Sequence, residues 1–376
     1  MLIGKSDMTA VAALSPRDVA GYLRSRGWQD SGPYGSYGRV FACSRNSETF
    51  EVILSTTNDA RDFSRRMVEL VDEVARFEDR SPYEVMADLT LAPFDVVRIR
   101  LQAADQYGSI KITEGVELHE EARNLMLWAA NAAASRQPRK SWKGRRFEEV
   151  GSYLDSVRLG QTQRGSFVLT LLSPWHFDPT GGGPLDGFDA FGRRTTRKLA
   201  SALVATQEAI RKVVATNDLK PFDEAVKAGV SSNLCTSLAR LAEEGNGMDV
   251  SVDWSPSKPA DGSVKVSLTR ENASVLTDAA RHLDQQEPEE NVTIQGLVSQ
   301  ITEDPDRFDG NTVIETRVGN VIRRIKVQFG PDERTSVYQA AHNKRWIQVV
   351  GDLAREGRQL RLRSPRNFFV VEPSDD

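Results

Sequence analysis

The C-terminal part of the chain contains the run Val292-Thr-Ile-Gln-Gly-Leu-Val-Ser-Gln-Ile301. Apolar and polar residues largely alternate along it, and a period of two predicts a strand with one buried face. Gly296 lies in the middle of the run, and a glycine inside a strand is typical of a bend at the corner of a barrel. The run therefore predicts the first, bent strand of a small β-barrel.

The residues that follow predict four more strands and one helix. The predicted strands are Gly310–Arg317, Ile322–Phe329, Trp346–Leu353 and Asn367–Val371, and the helix runs from Asp332 to Asn343. A Gly319-Asn320 turn suits a tight hairpin between the second and third strands. Three strands, a helix and two strands is the order of an OB barrel. Residues 291–376 are therefore predicted to form an OB-like barrel, a fold that binds single-stranded nucleic acid, sugars or proteins.

Composition limits the classes of protein that this chain can belong to. Its formal net charge is −4 over 376 residues, so a site for a polyanion has to be a local patch. Two cysteines are too few for a disulfide framework, and no apolar run approaches the roughly 20 residues of a membrane helix. The start of the chain lacks the apolar core of a signal peptide. We expect a cytoplasmic protein, and the Ala-rich composition that favours Arg over Lys indicates a bacterial source.

Upstream of the barrel, helical and strand patterns mix in two regions. The fold class is therefore α+β, with two α+β domains followed by a small OB-like barrel. The predicted segments are a flexible tail (1–14), an N-terminal α+β domain (15–135), a basic linker (136–149), a middle α+β domain (150–283), an acidic linker (284–290) and the barrel (291–376). The Gly/Ser/Tyr-rich stretch 31–38 is predicted to be a loop.

The basic linker carries six Lys or Arg residues within positions 136–146 and no acid. Its candidate nucleic-acid-binding residues are Arg139, Lys140, Trp142, Lys143, Arg145 and Arg146. Cations interleaved with an aromatic ring are typical of a strip that binds phosphates and stacks on a base. The alternative is a solvated linker that is anchored by a buried Trp142.

The barrel has a local excess of positive charge, with twelve Lys or Arg against five Asp or Glu in residues 310–366. Its candidate nucleic-acid-binding residues are Arg317, Arg323, Arg324, Lys326, Trp346 and Arg361. Alternation places Arg324 and Lys326 on one face and Arg323 with Ile325 on the other. Trp346 and Phe368 could stack on bases or belong to the core. The alternative for the cations is protection of edge strands from pairing.

A turn in the middle region, Arg158-Leu-Gly-Gln-Thr-Gln-Arg-Gly165, precedes an apolar strand. Arg158 and Arg164 could present guanidinium groups to a phosphate or carboxylate, which predicts an anion site. The turn lacks the Gly-Lys-Ser/Thr ending of a phosphate-binding loop, and a strained hairpin turn explains it equally well. Arginines 193, 194 and 197 open a long helix, where an anionic partner or the nearby Asp186 and Asp189 could neutralise them.

Catalytic patterns are sparse. The four histidines are far apart in sequence, and none has a second ligand at metal-binding spacing. Cys235 lies beside Leu234 and Leu238 on a predicted helix, which favours a buried thiol over a nucleophile. We predict no catalytic residue, metal or cofactor, and the chain is more typical of a binding protein than of an enzyme.

The first predicted elements, which include Tyr22-Leu-Arg-Ser-Arg-Gly-Trp28, follow a helix–strand–strand–helix order. This start resembles the small double-stranded-RNA-binding fold of HicA-type toxins. The histidine that such toxins carry on a central strand is absent from residues 39–54, so the resemblance implies no RNase activity. As a whole, the chain resembles multi-domain bacterial proteins of defence or mobile-element loci, which implies a role in antiviral defence.

These patterns lead to a functional hypothesis of a non-enzymatic bacterial accessory protein. It would bind single-stranded nucleic acid through the barrel and the basic linker. One alternative is a scaffold or sensor that binds a protein partner. The other is a small-molecule or nucleotide site at the Arg158–Arg164 turn.

Overall fold

The computed structural model describes residues 7–45, 48–102, 109–143, 147–161, 167–181, 188–260, 262–303, 310–318, 321–356 and 359–371. Within these residues the chain forms eleven α-helices and thirteen strands, and the strands belong to three sheets. The predicted α+β class is confirmed. Among the described helices, none is both long enough and apolar enough to cross a membrane.

The N-terminal region is a three-stranded antiparallel sheet with helices packed on it. Its elements are α1 (Asp7–Ala12), α2 (Pro16–Ser25), β1 (Gln29–Tyr34), β2 (Gly38–Arg45), β3 (Glu48–Ser55), α3 (Phe63–Glu78) and α4 (Pro82–Leu91). Tyr22, Trp28, Phe41 and Met67 belong to its buried core. The prediction of a loop over residues 31–38 was wrong for its first part, which is strand β1. A bulge at Gly32, which has a φ of +119°, lets this Gly-Pro sequence pair with β2.

The central region is a five-stranded antiparallel sheet covered by helices. Its elements are β4 (Phe94–Leu101), α5 (Ile112–Ala134), α6 (Glu148–Ser156), β5 (Arg158–Leu159), β6 (Val168–Pro174), α7 (Phe191–Thr216), α8 (Lys220–Ala225), α9 (Ser232–Glu244), β7 (Met248–Asp253), β8 (Val264–Leu268) and α10 (Asn272–Gln286). The strand order is β5-β6-β4-β7-β8. The sheet takes its central strand β4 from the predicted N-terminal domain and its other strands from the predicted middle domain.

The C-terminal region is a closed five-stranded barrel. Its elements are β9 (Glu289–Glu303), β10 (Gly310–Val318), β11 (Val321–Phe329), α11 (Pro331–His342), β12 (Trp346–Glu356) and β13 (Gln359–Val370). The strands close in the order β10-β11-β13-β12-β9, and β11 and β13 are parallel while the other neighbours are antiparallel. With the helix between the third and fourth strands, this is an OB-like barrel, as predicted.

The barrel closes around a core of alternate strand residues that includes Ile314, Ile325, Val327 and Ile347. Strand β13 is longer than the predicted strand Asn367–Val371 and begins at Gln359. Its first half therefore places Arg361 in the barrel wall, in a stretch for which no strand was predicted.

The chain divides into two compact units. One contains residues 1–138 and 146–277, and the other contains residues 139–145 and 278–376. The second unit is thus the barrel together with the end of α10 and a short segment from the predicted basic linker. The domain boundaries given by the sequence stay predictions.

Candidate functional site

The outer faces of β10 and β11 carry the polar residues of the barrel's second and third strands. Ile314 on β10 and Ile325 on β11 point into the core, where 0% and 2% of each residue is exposed. Alternation therefore turns Glu315 outward on β10, and Arg324 and Lys326 outward on β11. Arg323 has the same parity along β11 as the core residues Ile325 and Val327, so it is separated from Arg324 and Lys326, as predicted.

A groove of about 670 Å³ lies over this outer face. It is lined by Ser299, Gln300, Thr302, Asn311, Val313, Glu315, Arg324, Lys326, Gln359 and Leu360. These residues come from β9, β10, β11 and β13, so the barrel wall itself forms the floor of the groove. Hydroxyl, amide, carboxylate and cationic groups make it a site that can bind a polar or anionic ligand.

Charge in the groove is unevenly paired. Arg324 Nε donates to Glu315 Oε1 over 2.9 Å, and the two residues are direct neighbours on β11 and β10. Lys326 forms no ion pair with another described residue. Arg361 on β13 lies directly opposite Lys326 in the parallel pair of strands. The groove therefore contains two cations, Lys326 and Arg324, of which Arg324 is partly neutralised by Glu315, and Arg361 lies next to Lys326 on β13.

Arg317 and Arg323 are exposed near the end of the β10–β11 hairpin. Neither pairs with an acid among the described residues, and neither lines the groove. Arg317 has the parity of Glu315 along β10, whereas Arg323 has the parity of the core residue Ile325 along β11.

Trp346 is 48% exposed at the start of β12 and lies opposite Leu297 of β9, which is 40% exposed. It does not line the groove. The other predicted aromatic, Phe368, packs against the barrel core, while its neighbour Phe369 is 58% exposed. The core position of Phe368 is one of its two predicted alternatives, and sequence reasoning did not consider the exposed Phe369.

The basic linker pairs with the acidic segment instead of facing solvent. Arg139 Nη1 lies 2.7 Å from Glu290 Oε1 and 3.4 Å from Glu287 Oε1. The Lys140 backbone N–H donates to Glu287 Oε2 over 2.8 Å, and its Nζ contacts Gln286 Oε1. Lys143 Nζ donates to the Asp284 carbonyl over 2.8 Å. Glu287 and Glu290 therefore neutralise Arg139, and the Asp284 carboxylate, 3.2 Å from Lys143 Nζ, neutralises Lys143.

Trp142 is only 5% exposed, so its ring cannot serve as a stacking platform at the surface. Beside it, Ser141 is buried and its Oγ donates to Asp284 Oδ1 over 2.8 Å. This arrangement corresponds to the alternative of a segment anchored by a buried tryptophan. Arg145 and Arg146 lie outside the described residues.

The predicted anion site at the Arg158–Arg164 turn is only partly described. Arg158 is exposed on the two-residue edge strand β5, opposite Leu172. Arg164 lies outside the described residues. This site stays a prediction.

A buried polar cluster that sequence reasoning missed lies in the first unit, around Asp95 and Arg193. Asp95 is 0% exposed and Arg193 is 1% exposed, and Arg193 Nη2 lies 2.8 Å from Asp95 Oδ1. Thr196 Oγ1 and the Ser255 backbone N–H also donate to the Asp95 carboxylate, over 2.6 and 2.9 Å. The sequence signal was weak, because the paired residues are 98 positions apart.

The cluster has a structural role, because the Arg193 side chain is packed between aromatic rings and paired with a buried carboxylate. The guanidinium carbon of Arg193 lies 5.2 Å from the centroid of the Trp254 ring and 6.0 Å from that of Trp175. Burial raises the pKa of Asp95 and lowers that of Arg193, while their mutual attraction opposes both shifts. The Arg193 cation at the start of α7 is thus held by Asp95, and Arg197 is paired with Asp189 over 3.1 Å.

Other groups that could carry chemistry are isolated. Among the described residues, no three His, Cys, Asp or Glu side chains are close enough to hold a metal ion together. Cys235 is fully buried, and burial raises the pKa of its thiol to about 12. Its thiolate is therefore not available as a nucleophile at neutral pH.

Comparisons with known proteins give no match. No protein-family model matches the chain, and neither the curated proteins nor the solved structures include one that does.

Proposed function

We propose that the barrel binds single-stranded nucleic acid in the groove over β10 and β11. The observation that carries this proposal is the position of the groove on the second and third strands of an OB-like barrel, with Arg324 and Lys326 in it. In OB folds this face binds oligonucleotides and oligosaccharides. The cations in the groove and the adjacent Arg361 favour an oligonucleotide over an oligosaccharide as the ligand.

The proposed phosphate contacts come from Lys326, Arg361 and Arg324. The first two lie on adjacent parallel strands, so their side chains can follow one stretch of backbone. Arg317 and Arg323 would add a more distant attraction. The residues of the basic linker have no part in this proposal, because acidic partners already hold Arg139 and Lys143.

Fluorescence anisotropy with the full chain and labelled oligonucleotides at two salt concentrations tests the proposal. Each lost phosphate contact should reduce the slope of log K against log salt by about 0.7. Lys326→Gln and Arg361→Gln should therefore weaken binding and flatten the salt dependence. Lys344→Gln is the matched control, because Lys344 is exposed and lies outside the groove. No binding by the wild type at low salt would refute the proposal.

A second candidate function is the binding of a protein partner. It is favoured by the exposed apolar side chains of Leu297, Trp346 and Phe369 on β9, β12 and β13, since exposed apolar patches often mark interfaces. Trp346→Ala separates the candidates. If the variant binds the oligonucleotide as tightly as the wild type, Trp346 is a candidate contact for a protein partner. If the variant loses affinity, Trp346 has the predicted base-stacking role.

The non-enzymatic character, the cytoplasmic location and the role in bacterial antiviral defence stay predictions from the sequence. The resemblance to defence-locus proteins is the sole support for that role.

A further inference from the structure

In the groove, a hydrogen-bond acceptor lies on β10 and the cations lie on the neighbouring strand β11. On β10, the groove-lining residues Asn311, Val313 and Glu315 alternate along one face, about 6.6 Å apart. Asn311 Oδ1 is buried and has no hydrogen-bond partner among the described residues. Glu315 carries a carboxylate. Strand β10 therefore presents the Glu315 carboxylate to the ligand as a hydrogen-bond acceptor.

The neighbouring strand β11 presents the cations Arg324 and Lys326, about 4.8 Å away across the sheet. Arg361 continues this line on β13, opposite Lys326. An anionic backbone is attracted to β11 and β13 and repelled by the Glu315 carboxylate on β10. A single-stranded nucleic acid in the groove would therefore place its phosphates along the cations of β11 and β13, and its bases would point toward β10.

The groove offers polar side chains to those bases instead of stacking surfaces. Among the described residues that line it, none is aromatic, while amides and hydroxyls are frequent. Recognition in such a groove depends on hydrogen bonds to the edges of the bases. Glu315 is positioned for this role, because Arg324 Nε holds its Oε1 and leaves its second oxygen for another donor.

We propose that Glu315 reads the amino groups of the bases, so that the groove prefers cytosine and adenine to thymine. This inference rests on the proposed nucleic-acid function and adds a base preference to it. A carboxylate accepts hydrogen bonds from the N4 amino group of cytosine and can accept them from the N6 amino group of adenine. Thymine has carbonyl oxygens on both sides of its one N–H, and these repel a carboxylate.

The test is anisotropy of the full chain with oligo(dC), oligo(dA) and oligo(dT) of about 12 nucleotides, within the site sizes of OB folds. At one salt concentration, the wild type should bind oligo(dC) and oligo(dA) about tenfold more tightly than oligo(dT). Glu315→Gln should reduce this ratio to about twofold or less and should bind oligo(dT) more tightly, because a charge that repels phosphate has been removed. Asp332→Asn is the control, because Asp332 is exposed on α11 and lies outside the groove.

The outcomes separate this inference from the proposed function. If no oligonucleotide binds the wild type, both fail. If all three bind equally and with salt dependence, the function stands and the base preference is wrong. If the preference persists in Glu315→Gln, Glu315 is not the residue that reads the base. The wild-type ratio decides the preference even if the variant does not fold.

Discussion

Arg193 is a charged residue in the first turn of α7 whose guanidinium lies out of water, between two tryptophan rings and Asp95. Replacing it with methionine leaves the Asp95 carboxylate buried without its cation. Removing one partner of a buried pair costs about 3–5 kcal/mol. We therefore expect Arg193→Met to lower the free energy of unfolding by about this amount in urea titrations.

The control for Arg193→Met is Arg197→Met on the same helix. Arg197 pairs with Asp189, but 54% of its side chain is exposed. Exposed pairs contribute about 0–1 kcal/mol, so this variant should be nearly as stable as the wild type. Equal losses for the two variants would show that the Asp95 pair has no special structural role.

Glu121 is a second buried charge, and its contribution should depend on pH. Burial acts to raise the pKa of its carboxyl, but hydrogen bonds from Ser237, Arg240 and Asn124 outweigh burial and hold the pKa below its ordinary value of 4.5. Arg240 Nη1 donates over 2.7 Å. A carboxyl whose pKa is lowered by folding contributes stability above its unfolded pKa and loses it as pH falls through the folded pKa.

Glu121→Gln should therefore be less stable than the wild type at pH 7, and the difference should shrink as pH falls below 4.5. Urea titrations of both proteins between pH 7 and pH 3 measure this. Glu244→Gln is the control, because it removes the same carboxylate from an exposed position. A difference between Glu121→Gln and the wild type that stays constant over this range would contradict the assignment.

At the residue scale, the sequence predicted which side chains face outward better than it predicted which side chains form ion pairs. The positions of Arg324 and Lys326 follow from strand alternation, which is a local property. The acidic partners of Arg139 and Arg193 lie more than 90 positions away in the sequence, and no local pattern predicts these pairs. The base-reading role that we propose for Glu315 likewise needed the register of β10 against β11.

Gly296 is the element-scale feature that decides how the barrel closes. A Cβ at this position would overlap the backbone carbonyl of Glu315 and would lie 2.9 Å from Ile314 Cγ2. The close approach joins β9 to β10, and backbone atoms cannot move away as a flexible side chain could. Gly296→Ala should therefore destabilise the barrel by about 1–3 kcal/mol or more, measured by thermal and urea unfolding.

Gly151→Ala is the matched control for Gly296→Ala. Gly151 lies in the middle of α6, and a Cβ there would meet no atom within 4 Å. Alanine in an exposed helix interior is favoured over glycine by about 0.5–1 kcal/mol, so this variant should be slightly more stable. If Gly296→Ala were equally harmless, the bend at Gly296 would not require glycine.

The elements that the sequence predicted correctly are those with a clean period. Strands β9, β10 and β11 alternate, and the bend at Gly296 was visible as a glycine within the pattern. Strand β1 was missed because Gly32 and Pro33 are typical of loops, and pairing there requires a bulge. The first half of β13 was missed because its outward arginines hide the alternation of Leu360 and Leu362.

At the scale of the whole molecule, the second unit is assembled from two distant parts of the chain. Residues 139–145 leave the first unit and join residues 278–376. Within the second unit, Arg139 and Lys143 pair with Glu290 and Asp284, and Ser141 is buried. The predicted acidic linker is thus the end of α10 and the start of β9, and it is the binding surface for the basic segment.

This assembly predicts that a fragment of residues 278–376 folds but is less stable than the barrel in the full chain, because it lacks residues 139–145. Adding a peptide of residues 136–147 should restore the lost contacts and raise the melting temperature of the fragment. A peptide at about 100 times its Kd would stabilise the fragment by about 2.7 kcal/mol.

A peptide of the same composition in scrambled order is the control, because it keeps the charge but cannot place Trp142 and Ser141 as the native order does. Equal stabilisation by both peptides would reduce the association to non-specific charge attraction. A fragment without a cooperative melt, with or without the peptide, would show that the barrel needs more of the chain than this second unit.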